Sequence, residues 1–330
     1  MNVIRLWVFC TIFSIYSLSS QGVTRNKTTL LMGSRFDITI VSESEQKADS
    51  LIQIAESEIE RIENLISSWR SGTEIAEVNR NAGIKPVKVS SEVFDLVNRS
   101  LAISELTDGA FDISYASMDR IWKFDGSMDD RMPTDSQIKA SVSKVGYRKI
   151  KLDPGASTIY LEQQGMKLGF GAIGKGYAAD KTKRLLQSLG VEAGIINASG
   201  DLTTWGKQPD GSDWMVGIIN PLNKERMFSW LPIADRAIAT SGNYEKKVVI
   251  DSVEYSHIID PRTGYPVRGI RSVSVIADSA ELCDALATSV FVLGIEKGLF
   301  LINQLETVAC LIVDQKGVLH VSKNLELKQQ

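Results

Sequence analysis

Ala48, Leu51, Ile52, Ala55, Ile59, Ile62, Ile66 and Trp69 recur at steps of three and four residues. That spacing puts them on one side of a 3.6-residue helix and gives the segment a single continuous apolar face, which has to be buried. Just ahead of it, "LLMGSRFDITIVS" alternates Phe36, Ile38 and Ile40 with polar neighbours, the pattern of a half-buried strand. "SGTE" breaks the helix. A second helix is predicted from Ser91, read as its N-cap, to "LTDGAFD", where Gly109 interrupts the pattern. From Val145 onward short strand-like runs prevail: "YRKIKLD", "STIYLE", "GMKLGF", "AGIINAS", "WMVGIIN" and "KKVVID", separated by Gly, Asp, Asn and Pro. One helix interrupts them, "YAADKTKRLLQSLG", with Gly190 where a C-cap belongs. The last third reads as strand "SVSVIAD", helices "AELCDALATSVFVLG" and "IEKGLFLINQL", then strands "VACLIV" and "VLHVS". Without a repeat or a linker, the expected class is α+β, helices packed on largely antiparallel sheets. A chain of 330 residues can build this as one large domain or as two intimately packed lobes.

The formal net charge is -3 and the cationic residues are scattered. The densest basic stretch, "KVGYRKIK" around Arg148 and Lys149, alternates with apolar residues like the wet face of a strand, so nucleic acid is not an expected partner. At the N-terminus Arg5 precedes an apolar run from Leu6 to Leu18, followed by the small residues Ser19 and Ser20. This is a secretory signal pattern, shorter than the roughly 20 apolar residues a membrane span needs. Residues 1–20 are expected to be removed and residues 21–330 exported. Cys10 lies inside that run, which leaves Cys283 and Cys310, expected as buried thiols because two cysteines make no disulfide framework.

Four stretches could carry chemistry. In "LGFGAIGKGYAAD", Gly169, Gly171 and Gly174 satisfy G-x-G-x-x-G between an expected strand and a helix. The acidic partner of a dinucleotide fold is missing, since the next strand ends in Asn197. A P-loop reading fails where Gly176 follows Lys175, because a Ser or Thr is needed there to hold Mg²⁺. What survives is a glycine turn, a helix N-terminus and a lysine, which together suit phosphate, against a plain packing role for the glycines. In "CDALATS", Asp284 and Thr288 are four residues apart and share one helical face; such oxygen ligands suit Mg²⁺, although Asp284 could simply favour the helix dipole. "TDGAFDIS" offers Asp112 as an acceptor for a base or ribose beside Phe111, or as a turn-former. His257, in "HIIDPRTGYP", is one of only two histidines; it could act as a base or a phosphate contact ahead of a stiff loop, or be ordinary hydrogen-bonded structure.

Taken together, "MGSRFDI", "LISSWRSGTEIAEVN", "TDGAFDIS", "GAIGKGYAAD", "NASGDL", "DWMVGIINP", "ATSGNYEK", "SHIIDPRTGYPV" and "DALATSVFVLG" resemble, in order, the FAD:protein FMN transferase family, the ApbE-like flavin transferases. The resemblance covers nearly all of the mature chain and implies an ApbE-like two-lobed single module. It also implies an exported, periplasmic enzyme that binds FAD and Mg²⁺, moves FMN onto a threonine or serine hydroxyl of a partner protein, and releases AMP. The implied partners are flavoprotein subunits of membrane redox complexes. By the same resemblance, Met32, Trp69, Ala110, Phe111, Asp112, Gly169, Lys175 and Ile258 become flavin-nucleotide contacts. The backbone oxygen of Ala172 and the side chains of Asp284 and Thr288 become metal ligands, and His257 the group that activates the acceptor hydroxyl. Two positions depart from the family pattern: Gly169 stands where an acidic residue opens the motif of many relatives, and Trp69 where relatives carry tyrosine or another residue. The alternatives are a Mg²⁺-dependent FAD pyrophosphatase and a flavin-binding protein without turnover.

Overall fold

The computed structural model describes residues 22–128, 131–219, 227–243, 247–251 and 253–325. The expected signal segment lies outside them, as do Tyr244, Glu245 and Lys246 of "NYEK". The first hairpin joins β1 (Val23–Leu31) to β2 (Ser34–Ser42). Its two-residue loop, Met32 and Gly33, has φ of +51° and +67°, the twist-matched turn geometry that glycine adopts freely and methionine does not. The expected alternation holds: Phe36, Ile38 and Ile40 are all fully buried.

The predicted helical face is α1 (Glu45–Ile66), started by Ser44, whose hydroxyl accepts from the Lys47 N–H at 3.3 Å. Its buried residues are those of the sequence pattern with one correction. The helix stops at Ile66, Ser67 turns to an extended conformation, and Trp69 stands 80% exposed beyond the end of the apolar face. The segment expected only as a break carries α2 (Glu74–Arg80), capped by the Thr73 hydroxyl. After β3 (Val87–Lys88), α3 (Ser91–Leu106) starts with Ser90 rather than Ser91 as its cap, because the Val93 N–H reaches the Ser90 hydroxyl. A short 3₁₀ turn (Ile113–Ser117) and α4 (Asp135–Ser141) lead to β4 (Ile150–Asp153) and β5 (Thr158–Leu161), which with β3 form a small antiparallel sheet.

"GMKLGF" is not a strand. Among the described residues the segment has no ladder partner; the Gly169 N–H goes to the Ile113 carbonyl, and side chains satisfy the backbone of Lys167 and Leu168. Asn79 accepts from the Leu168 N–H at 2.7 Å and donates to its carbonyl at 3.1 Å. Ser117 does the same for Lys167, at 2.7 Å and 3.1 Å. Apolar alternation reports burial, and here burial comes without strand pairing.

Next come α5 (Gly174–Ser188), β6 (Ala193–Ala198), β7 (Asp201–Trp205), β8 (Trp214–Ile219), β9 (Met227–Ile233) and β10 (Ala237–Gly242). They are followed by β11 (Lys247–Ile250), β12 (Val253–Ser256), β13 (Ile270–Ala277), α6 (Ala280–Leu293), α7 (Ile295–Ile302), β14 (Ala309–Asp314) and β15 (Leu319–Val321). Gly190, φ +83°, sits just past the end of α5 as expected. Among the described residues, eight strands form the main sheet in the order β1-β2-β6-β7-β10-β13-β14-β15, with antiparallel pairing throughout. Helices α1, α5 and α6 cover one face. Along β14 alternate residues divide between two clusters: Cys310 and Ile312 point to the helices, and Ala309, Leu311 and Val313 to a second cluster with Ile233 of β9. Cys283 and Cys310 are both buried and free, as expected.

Candidate active site

Helices α5 and α6 touch backbone to backbone. A Cβ built on Gly176 would collide with the Ala280 carbonyl, so only glycine allows this approach. The contact is locked by reciprocal capping. Asp180, on α5, accepts from the Ser279 hydroxyl at 2.7 Å and from the Ala280 and Glu281 N–H groups at 3.0 Å, which caps the start of α6. Asp284, on α6, accepts from the Gly176 N–H at 3.2 Å and from that of Lys175, which caps the start of α5. The anion at this helix N-terminus is therefore a carboxylate of the chain itself.

A polar corner is built on this junction. Asp284 is 4% exposed and Asp201, at the head of β7, is 3% exposed and ion-paired with the Lys175 ammonium. Burial, and then the charge of Asp201, push the Asp284 carboxyl up to about 8, while Lys175 and the two backbone N–H groups pull the other way. One turn along α6, the Thr288 hydroxyl lies 3.2 Å from that of Ser241 at the end of β10. Asp284 and Thr288 thus present oxygens from one helical face beside a lysine. A buried carboxylate that is only partly compensated, next to hydroxyls and the Ala172 turn, is a donor set suited to a hard divalent cation. Among the described residues, no group of three or more His, Cys, Asp or Glu could hold a metal, so hydroxyl and carbonyl oxygens would have to complete such a site.

The glycines before α5 are explained by close packing. A Cβ on Gly169 would stand 2.9 Å from that of Ala116, one on Gly171 would collide with the Tyr115 hydroxyl, and one on Gly174 would meet Ile66 and Phe170 at 3.3 Å. Their N–H groups are also engaged: Gly169 donates to Ile113 at 2.8 Å, Gly174 to Phe170 at 2.7 Å, and Gly171 to the Tyr115 hydroxyl. Burial of its hydroxyl end, and with it Asp284, raises the phenol of Tyr115 above its ordinary value, although the residue as a whole is 39% exposed. The open phosphate cradle expected from the G-x-G-x-x-G spacing is thus largely filled by the chain. Lys175 remains at the edge of the turn, its side chain 29% exposed.

Asp112 caps the 3₁₀ turn. One oxygen accepts from the Ser114 N–H and hydroxyl at 2.7 and 2.6 Å, and the other from the Tyr147 N–H at 2.7 Å. Burial outweighs these bonds and raises its carboxyl above the usual range. Ala110 and Phe111 are 1% and 2% exposed, backbone included, so they lie under the surface of this turn. A cleft of about 310 Å³, lined by Asp108, Asp112, Arg148, Lys149 and Arg262, separates this turn from the histidine loop, and Arg262 reaches the Asp108 carbonyl at 3.5 Å.

The loop after His257 is stiff for reasons beyond its prolines. Asp260 accepts through its carbonyl from Gly264 at 2.8 Å and donates its N–H to Tyr265 at 2.9 Å, while Ile258 accepts from Val267 at 2.8 Å. The Trp122 indole N–H donates to the Gly264 carbonyl at 2.9 Å. Trp122, Ile138, Ile250 and Tyr255 form a small separate cluster beneath, and Phe124, packed on it, meets the His257 ring edge-on at 6.5 Å. Ile258 instead packs on the main core. Met32 is held by its N–H to Glu63 at 3.1 Å, and its methyl is 3.7 Å from the position of a Gly174 Cβ. Trp69 carries the Arg120 guanidinium over its ring at 4.6 Å.

The predicted residues therefore fall into groups. Lys175, Asp284 and Thr288 share the α5/α6 corner; Ala172 lies in the turn leading to it; Met32 borders that turn; Asp112 and its neighbours sit on the 3₁₀ turn; His257 has its own support. Sequence reasoning missed Asp201, Ser241, Asp180, Tyr115 and Arg120. Asp201 and Asp180 stand inside quoted motifs, "NASGDL" and "YAAD", but their partners are 26 and about 100 residues away, and no local pattern reveals that.

A model of the ApbE family matches residues 32–312 of the chain. An FAD:protein FMN transferase of Klebsiella pneumoniae (strain 342) is 31% identical over 301 residues, covering 91% of this chain and 92% of that protein. One of Treponema pallidum (strain Nichols) is 31% identical over 270 residues, with 77% and 74% covered. Among solved structures, the ApbE protein of Thermotoga maritima has a TM-score of 0.82 at 28% identity, with 91% and 97% covered. The apo flavinyl transferase ApbE of Pseudomonas stutzeri has a TM-score of 0.81 at 27% identity, with 92% and 96% covered. Since the family model spans most of the chain and the fold agrees over 91% of it, this protein belongs to the ApbE family.

Proposed function

We propose that this chain is an FAD:protein FMN transferase that requires Mg²⁺. The observation that carries the reading is the α5/α6 corner, where Lys175 and the buried Asp284 are fixed by reciprocal capping beside Thr288, in a chain related over most of its length to proteins named for this activity. In the proposed reaction a threonine or serine hydroxyl of the acceptor attacks the FMN phosphorus, the bond to the bridging oxygen breaks, and AMP leaves. Asp284, Thr288 and the Ala172 carbonyl would hold the Mg²⁺, which supplies charge neutralisation to the diphosphate. Lys175 would offset charge on the same group. Met32, Trp69, Ala110, Phe111, Asp112, Gly169 and Ile258 would contact the flavin nucleotide. His257 would take the proton of the attacking hydroxyl, a contribution of roughly 10²- to 10⁴-fold.

The acceptors we propose are flavoprotein subunits of membrane redox complexes, and the place of action is the periplasm. The apolar run from Leu6 to Leu18 behind Arg5 supports export. Asp284→Ala tests the core of the reading: AMP release from FAD should fall roughly 10²-fold or more. Turnover equal to that of the parent would remove the metal assignment.

A further inference from the structure

Tyr115 belongs to the 3₁₀ turn Ile113–Ser117. The residue is 39% exposed, and its hydroxyl is turned onto the glycine turn, where a side chain on Gly171 would collide with it. The placement is fixed independently of the ring. The Gly169 N–H holds the Ile113 carbonyl at 2.8 Å, and Ala116 fills the space a Cβ on Gly169 would need. The phenol oxygen accepts from the Gly171 N–H, and the Asp284 carboxylate and Arg120 guanidinium lie near enough to act on it electrostatically. An oxygen that accepts from one N–H still has its own proton to give. Phenylalanine would fill the same space, so packing does not account for the hydroxyl.

We propose that Tyr115 is a further substrate-binding residue, donating its hydroxyl proton to an oxygen of the dinucleotide's diphosphate at the Lys175 and Asp284 corner, with Arg120 as a neighbouring cation. The inference rests on reading the corner as the site of FAD, and it specifies the part recognised: the diphosphate, not the isoalloxazine ring.

The test compares the full mature chain with Tyr115→Phe for affinity toward FAD, ADP and riboflavin, with AMP release followed in the same samples. FAD and ADP should bind roughly tenfold more weakly, the loss of one hydrogen bond to a charged acceptor, while riboflavin binding stays unchanged. Equal FAD and ADP affinities in the two proteins would overturn the assignment. So would riboflavin binding weakened in parallel, which would make the hydroxyl a prop of the loop. Gly171→Ala should displace the phenol and reproduce the loss, and combining it with Tyr115→Phe should add nothing further; additive losses would contradict the proposal. Tyrosine-dependent ADP binding without AMP release by the parent chain would count against the transferase alone. Absence of any FAD or ADP binding by the parent chain would overturn both readings.

Discussion

A methyl group on Gly176 would be driven into the Ala280 carbonyl, and the helices could accommodate it only by separating. Gly176→Ala is therefore predicted to destabilise the fold by about 1–3 kcal/mol, with a lower midpoint in urea unfolding; an unchanged midpoint would mean the two helices have slack. Asp180→Ala removes the acceptor for three donors at the start of α6. It should cost about 0.5–2 kcal/mol and also slow AMP release, because α6 carries Asp284 and Thr288. Full activity in a destabilised Asp180→Ala protein would show that the position of α6 does not matter to the chemistry. His257→Ala should keep FAD affinity and lose roughly 10²- to 10⁴-fold in transfer. Equal loss of binding and transfer would make the histidine a substrate contact instead of a base. At this scale the sequence was informative about residue type and blind to pairing. Asp284 and Thr288 were legible from their four-residue spacing, whereas Asp201 and Tyr115 reach the same corner from β7 and the 3₁₀ turn with no local sign.

Among the elements, α1, α3 and α5 are tied by Glu92. Its carboxylate takes the Arg61 guanidinium at 2.8 and 3.0 Å, the Tyr177 hydroxyl at 2.6 Å and the Lys181 ammonium at 3.0 Å. Burial opposes its charge, but the bonds from Arg61, Tyr177 and Lys181 outweigh it and hold the carboxyl at about 2, below the ordinary 4.5. A carboxyl lowered on folding stabilises the native state above its unfolded value. That contribution is lost as pH falls from about 4.5 toward about 2. Glu92→Gln should lower stability at pH 7 by about 1 kcal/mol, reduced by solvent screening, and flatten the acid limb of a thermal-midpoint profile; parallel profiles would sink this assignment. Helix α1 was legible because burial and periodicity agree along it. "GMKLGF" misled because its burial is served by Asn79 and Ser117, whose side chains replace a neighbouring strand.

Across the whole molecule, the α+β class could be read from the change of period along the chain, but the strand order could not. β2 pairs with β6 across α1 to α5 and the three-stranded sheet β3-β5-β4, a closure set by tertiary packing. The glycine spacing 169–171–174 was legible as a turn, and the structure assigns its glycines to close contact with the 3₁₀ turn and α1. The corner that results couples elements spread from residue 115 to residue 288, so the proposed chemistry belongs to the assembled fold. The direct measurement is to incubate the purified mature chain with FAD, Mg²⁺ and a flavoprotein-subunit domain carrying an accessible threonine, following AMP and the intact mass of that domain together. AMP release in step with a mass gain of one phosphoester-linked FMN is the predicted result; AMP with free FMN and an unmodified acceptor, or no AMP at all, would contradict it.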